Sequence, residues 1–163
     1  MNTNTSGDHA AIAAIVSGDL CLLIRQPDRP DPKWKFSGGR RENGESVEET
    51  LVREVEEETG FKIPFEKNED GRITLGDENV RVELLRSRTV GWGDRQHEQH
   101  FYLVASKEPL DLIALDRQVR KEDYTETIET CVFRTSVLFT QVELLPPQLP
   151  LLEELAKHFE KAA

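Results

Sequence analysis

Cysteine is scarce in this chain, which excludes a disulfide framework and a cysteine-based zinc site. Cys21 and Cys131 are its two cysteines, each inside an apolar run (DLCLLI and TCVF), as expected of buried thiols in a reducing compartment. Long apolar stretches are missing as well: none approaches the roughly 20 residues that a membrane-spanning helix needs. The N-terminal MNTNTSGDHA has neither the basic nor the apolar region of a signal peptide, so a soluble, cytoplasmic protein is expected. Positive charge is also short. Against 31 acidic side chains stand 21 basic ones, a net charge of −10, and such a field repels polyanions and argues against binding polymeric nucleic acid. A small phosphorylated ligand held through a metal is compatible with it. Internal repeats and low-complexity linkers are absent, and 163 residues at 37% hydrophobic suffice for one core. The expectation is a single domain over 1–163, with 1–8 a flexible tail.

What is present alternates between apolar segments and turn-rich breaks such as PDRPDPK, EKNEDGR and GWGDRQ. His9 to Val16 and Leu20 to Ile24, separated by Ser-Gly-Asp, predict a pair of strands. Val80 to Val90, His100 to Ala105 and Ile128 to Phe133 read as further strands. Leu151, Leu152, Leu155 and Phe159 recur at helical spacing and predict a closing amphipathic helix from Pro147 to Ala162. Strands and helices mixed in this way give an α/β or α+β sandwich.

The informative stretch is GGRRENGESVEETLVREVEEETGF, Gly38 to Phe61. Ser46 and Glu49 form a capping-box pattern and Gly60 supplies a stop, so a helix is predicted over Val47 to Thr59. At about 100° per residue, Val47, Leu51 and Val55 share one stripe, with Glu58 between them and Glu54 at the edge. Glu57 falls on the flank beside Glu54. Carboxylates spaced i, i+3 and i+4 repel one another and call for a hard, oxygen-seeking cation such as Mg²⁺ or Mn²⁺. A Glu-rich helix face is more commonly just solvated, and an i,i+4 pair of Glu49 with Arg53 suits that reading.

Context decides between the two. Gly39, five residues, Glu45, seven residues, and then Arg53-Glu54-Val55-Glu56-Glu57-Glu58-Thr59-Gly60-Phe61 resemble a complete Nudix box. The resemblance implies a Nudix-like α/β/α sandwich with a central mixed sheet. It also implies hydrolysis of a nucleoside diphosphate linked to another group, with Mg²⁺ or Mn²⁺ as cofactor. By the same resemblance Glu57 and Glu58 are the main metal ligands, Glu54 is a ligand or the base that activates water, and the Gly38 carbonyl is an extra ligand. Arg53 orients the carboxylates. Glu45 is either a ligand or a structural partner of the loop.

One departure is visible: many relatives have proline before the double glycine, where this chain has Ser37, which puts the rigidity of that loop in question. An acid from outside the helix commonly completes such sites. Glu98, in the loop GDRQHEQH, and Glu129 both qualify, and Glu98 is the favoured metal ligand. His97 and His100 flank Glu98 but have no assigned role, since hard cations prefer oxygen. Trp34 and Phe36 either stack on a base or fill the core, and Arg40, Arg41 and Arg95 either pair with phosphates or lie on the surface. Nucleoside triphosphates, nucleotide sugars and diphosphate-containing metabolites all remain as substrates. A catalytically silent nucleotide sensor is the other reading. Relatives often form homodimers, but no interface stands out from the apolar pattern here.

Overall fold

The structure, a computed structural model, describes residues 8–92, 94–122, 126–140, 142–144 and 146–162. All of the tail expected over 1–8 except Asp8 lies outside them. Asp8 opens β1 (Asp8–Ser17), and a turn at Gly18 leads into β2 (Leu20–Arg25), the expected antiparallel pair. β3 (Ser37–Arg40) runs antiparallel to β1, pairing Gly38 with Ile12 and Gly39 with Ala11. α1 (Val47–Thr59) follows, with the limits that the capping box and Gly60 predict.

β4 (Phe65–Lys67) and β5 (Ile73–Leu75) form a separate hairpin out of the segment that reads as a break. β6 (Val80–Trp92) and β7 (Arg95–Ser106) are longer than their apolar residues suggest. The polar RQHEQ stretch is strand because β6 pairs with it on one side and β1 on the other. A short helix α2 (Pro109–Ile113), β8 (Val119–Glu122), β9 (Glu126–Arg134), α3 (Thr135–Thr140) and the closing helix α4 (Leu149–Ala162) complete the described chain.

The main sheet has seven strands in the order β6-β7-β1-β2-β9-β8, with β3 beside β1. It is mixed: β1 and β7 are parallel, and its other pairings are antiparallel. Successive side chains of a strand point to opposite faces, and β1 is apolar on both. Ala11, Ala13 and Ile15 pack with Leu51 and Val55 of α1 and Leu112 of α2. Ile12, Ala14 and Val16 pack on the other face with Leu138 of α3 and Leu151 and Leu155 of α4. Helices on both faces of a mixed sheet make the α/β sandwich that the sequence predicts. Both cysteines are free, Cys21 buried and Cys131 half-buried. Among the described residues no helix is long and apolar enough to cross a membrane.

Candidate active site

α1 carries the acids and its ends are fixed locally. The Ser46 hydroxyl accepts the Glu49 N–H at 3.1 Å, and the Glu49 carboxylate accepts the Ser46 N–H at 3.3 Å. At the other end Gly60 takes φ 80°, a left-handed conformation natural for glycine, and donates its N–H to the Glu56 carbonyl. Between these caps Leu51 and Val55 face the core, and Glu58 lies on the same side at 5% exposure.

Glu58 reaches β3. Its Oε1 accepts the Ser37 hydroxyl at 2.9 Å and the Gly38 N–H at 2.8 Å. Burial pushes its pKa up to about 7, against the opposing pull of Lys35 and the Gly38 N–H. Glu54 approaches the neighbouring glycine: a Cβ on Gly39 would fall 2.7 Å from Glu54 Oε2 and closer still to the rest of the carboxylate. Burial also raises the Glu54 pKa, with Arg53 opposing. Gly39 therefore has to be glycine for the carboxylate to sit where it does. Gly38 has to be glycine for a different reason, because a Cβ there would meet the Ala11 carbonyl and lie 2.7 Å from Ile12 Cα. The two glycines are strand rather than the loop expected, and close approach on both sides of β3 explains them.

Arg53 gathers the remaining acids. Its Nε and Nη2 grip Glu45 at 2.7 and 2.9 Å, and Nη1 reaches Glu54 at 2.9 Å and Glu57 at 3.1 Å. Nη2 also donates to the Arg40 carbonyl at 3.0 Å. The solvated pair with Glu49 does not form, since Glu49 is spent on the cap. Glu45 accepts the Glu42 N–H and the Thr50 hydroxyl besides Arg53, and those hydrogen bonds, Arg53's foremost, lower its pKa. It anchors the segment between β3 and α1. So the mutual repulsion of Glu54 and Glu57 is relieved in part by a guanidinium rather than wholly by a metal. Among the described residues no three His, Cys, Asp or Glu side chains already surround one point.

The donor set nevertheless suits a hard divalent cation. Glu54, Glu57, Glu58 and the Gly38 carbonyl offer oxygen alone, and the Gly39 cradle holds one of these carboxylates against β3. On the far side of the same glycines a cavity of about 520 Å³ opens, lined in part by Lys35, Arg40, Arg88, Gln99 and Gln148. Among the described residues no acidic side chain lines it, so its charge suits an anionic ligand. Arg88 is held there by donating to Gln99 Oε1 at 2.7 Å and by lying over the Phe101 ring.

The other candidates read from the sequence fall elsewhere. Glu98 is on β7, not in a loop, and borders a second cavity of about 580 Å³ at the start of α1 with His9, Arg41 and His97. Glu54, Glu57 and Glu58 do not line that cavity. Glu129 is ion-paired with Arg25 on β2. His100 bonds the Ser87 hydroxyl through Nδ1 at 2.9 Å, and His97 meets Gln99. Phe36 is core at 2% exposure, and Trp34 packs edge-on to Phe133 under Arg25, so neither ring is offered to a base. Arg95 lines a smaller cavity shared with Arg40 and His97. Lys35 and Arg88 escape sequence reasoning. Lys35 leaves one trace, a charge set between two buried or half-buried aromatics in WKF; Arg88 leaves none in a strand with charges at Arg81, Glu83 and Arg86.

Known proteins resemble this chain in sequence and in fold. The family model of the NUDIX domain matches residues 7–119. Among curated proteins, the mitochondrial NAD(P)H pyrophosphatase NUDT13 of Homo sapiens is 43% identical over 98 residues, covering 50% of this chain and 28% of that protein. The matched segment spans less than half the length of each of the first four curated relatives. Among solved structures, a NUDIX hydrolase from Nitrosomonas europaea superposes with a TM-score of 0.61 at 19% identity, covering 94% of this chain and 90% of that one. The NUDIX domain of Shewanella oneidensis NrtR, complexed with ADP ribose, does so with a TM-score of 0.62 at 15% identity, covering 96% and 90%.

Proposed function

The chain belongs to the NUDIX family, and on that premise we propose that it is a metal-dependent hydrolase cleaving the pyrophosphate bond of a nucleoside diphosphate linked to another group. The observation that carries this reading is the placement of acids and bases about Gly38 and Gly39. Glu58 and Glu54 close on these residues from α1, and a cavity with Lys35, Arg40 and Arg88 opens on the other side.

In this reading Glu57 and Glu58 would hold Mg²⁺ or Mn²⁺, with the Gly38 carbonyl and Glu54 as further ligands; Glu98, which borders the other cavity, is not part of this set. A cation bound there would supply neutralisation of the charge that develops during pyrophosphate cleavage. Lys35, Arg40 and Arg88 bind and orient the phosphates. Glu54, with its raised pKa, takes the proton from the attacking water at its carboxylate. Arg53 fixes the direction of Glu54 and Glu57 through the bonds already present. NAD(P)H, ADP-ribose and other nucleotide-linked diphosphates match what the relatives are named for.

The second reading is nucleotide binding without turnover. It is favoured by the Arg53 contacts, which already neutralise two of the acids, and by the ADP ribose bound to the NrtR domain. The test is phosphate, pyrophosphate or nucleoside monophosphate release from a panel of nucleoside triphosphates, nucleotide sugars, dinucleotides, ADP-ribose and dinucleoside polyphosphates, with Mg²⁺, with Mn²⁺ and with chelator. Metal-dependent release from one class supports the hydrolase and identifies its substrate. Tight nucleotide binding by calorimetry with no release from any member supports the sensor.

A further inference from the structure

Ser37 is fully buried, and its side chain turns to α1 across a sequence separation of 21 residues to donate to Glu58 Oε1 at 2.9 Å. The adjacent Gly38 N–H donates to the same oxygen at 2.8 Å. The two donors differ in what they require of the sequence. Almost any residue at position 38 brings a backbone N–H, whereas the hydroxyl comes from the serine side chain, and a proline at position 37 would supply none.

Two donors on one carboxylate oxygen do more than satisfy it. The terminal torsion of a glutamate is broad, so a carboxylate with a single contact swings. Charge-assisted hydrogen bonds from two directions fix that torsion. The backbone donor is rigid because Gly38 pairs with Ile12, and the hydroxyl is rigid because Ser37 pairs with Ala13 in the same ladder. Both donors are therefore anchored to β1, the strand buried on both faces of the sheet.

We propose that Ser37 is a positioning residue for divalent cation binding: by holding Glu58 Oε1 from β3, it presents the rest of the carboxylate to the metal and so sets the affinity of the site. This rests on the reading of Glu58 as a metal ligand, and the experiment separates the two. Free Mn²⁺ is counted by electron paramagnetic resonance during titration of the full chain without nucleotide, at one pH. The variants are wild type, Ser37→Ala, Glu58→Gln and the double substitution. Loss of one hydrogen bond to a charged ligand should weaken Mn²⁺ binding about tenfold in Ser37→Ala. Glu58→Gln should weaken it more, and adding Ser37→Ala to Glu58→Gln should cost nothing further, because the serine acts through the glutamate.

Thermal melts check that each variant is folded. Should Ser37→Ala fail to fold, Ser37→Cys, with nearly the same volume and a weak donor, takes its place and should lose affinity in the same direction. Wild-type affinity in the Ser37 variant, alongside a loss in Glu58→Gln, would overturn the proposal and leave the metal site standing. Unchanged affinity in Glu58→Gln would overturn the assignment of Glu58, and the role of Ser37 with it. Equal losses for Ser37→Ala in the wild-type and Glu58→Gln backgrounds would overturn it too, because the hydroxyl would then act by some route other than Glu58.

Discussion

Glu58→Gln should make the metal-free protein more stable while removing a proposed metal ligand. The carboxyl is 5% exposed, and burial raises its pKa from 4.5 to about 7. Below the lower value it is neutral in both folded and unfolded chains. Between the two values the unfolded chain releases the proton and the folded chain keeps it, so stability falls as pH rises through this window and levels off above it. A shift of that size corresponds to about 3 kcal/mol lost to wild type by pH 8 or so. Glutamine retains Oε1, so it still accepts from Ser37 and Gly38, and it never ionises. The advantage of Glu58→Gln over wild type should therefore grow from near zero at about pH 4.5 to about 3 kcal/mol at about pH 8. Urea unfolding in chelator at the two pH values measures it. An advantage that is the same at both, or a variant less stable at the higher pH, would refute the claim that Glu58 is held in an environment hostile to its charge. Added Mn²⁺ should restore stability to wild type by binding the folded state, and should do so far less for the variant.

The two adjacent glycines predict opposite failures. Gly39→Ala pushes a methyl into the Glu54 carboxylate while leaving the ladder alone, so turnover should fall roughly ten- to a hundredfold with little change in melting temperature. Gly38→Ala drives its methyl into the backbone of Ala11 and Ile12, so it should cost about 2 kcal/mol or more in urea unfolding whatever it does to activity. Arg53→Lys keeps the charge but cannot bridge Glu45, Glu54 and Glu57 at once. It should lower kcat with a smaller effect on KM, and cost about 1 to 2 kcal/mol of stability through the hydrogen bonds lost to the half-buried Glu45 and Glu54.

The limits of α1 are legible in the sequence because both ends are written in local chemistry, Ser46 with Glu49 at one and Gly60 at the other. β1 and β2 are legible because continuous apolar runs reach both faces of the sheet. β3 is not, since Ser-Gly-Gly-Arg has no strand propensity and becomes strand only by pairing with β1. The polar half of β7 is hidden for the same reason, and Glu98 reads as a loop residue in consequence. At the site, helical spacing places Glu58 toward the core and Glu57 on the flank. It does not show that Arg53 turns from Glu49 to Glu45, Glu54 and Glu57, because that choice depends on where the segment after β3 carries Glu45. Nor does it show the cavity beyond Gly38 and Gly39, whose lining residues come from five separate stretches of chain.

The most direct test of metal-dependent hydrolysis at this helix compares wild type and Glu57→Gln on the best substrate of the panel, with Mg²⁺ or Mn²⁺ and with chelator. Glu57 is 40% exposed and ion-paired with Arg53, so glutamine there should leave the fold and its melting temperature nearly unchanged. Chelator should abolish the turnover of wild type, and Glu57→Gln should lose roughly a hundredfold or more. Wild-type turnover in Glu57→Gln, or turnover that persists in chelator, would contradict metal-dependent hydrolysis at this helix.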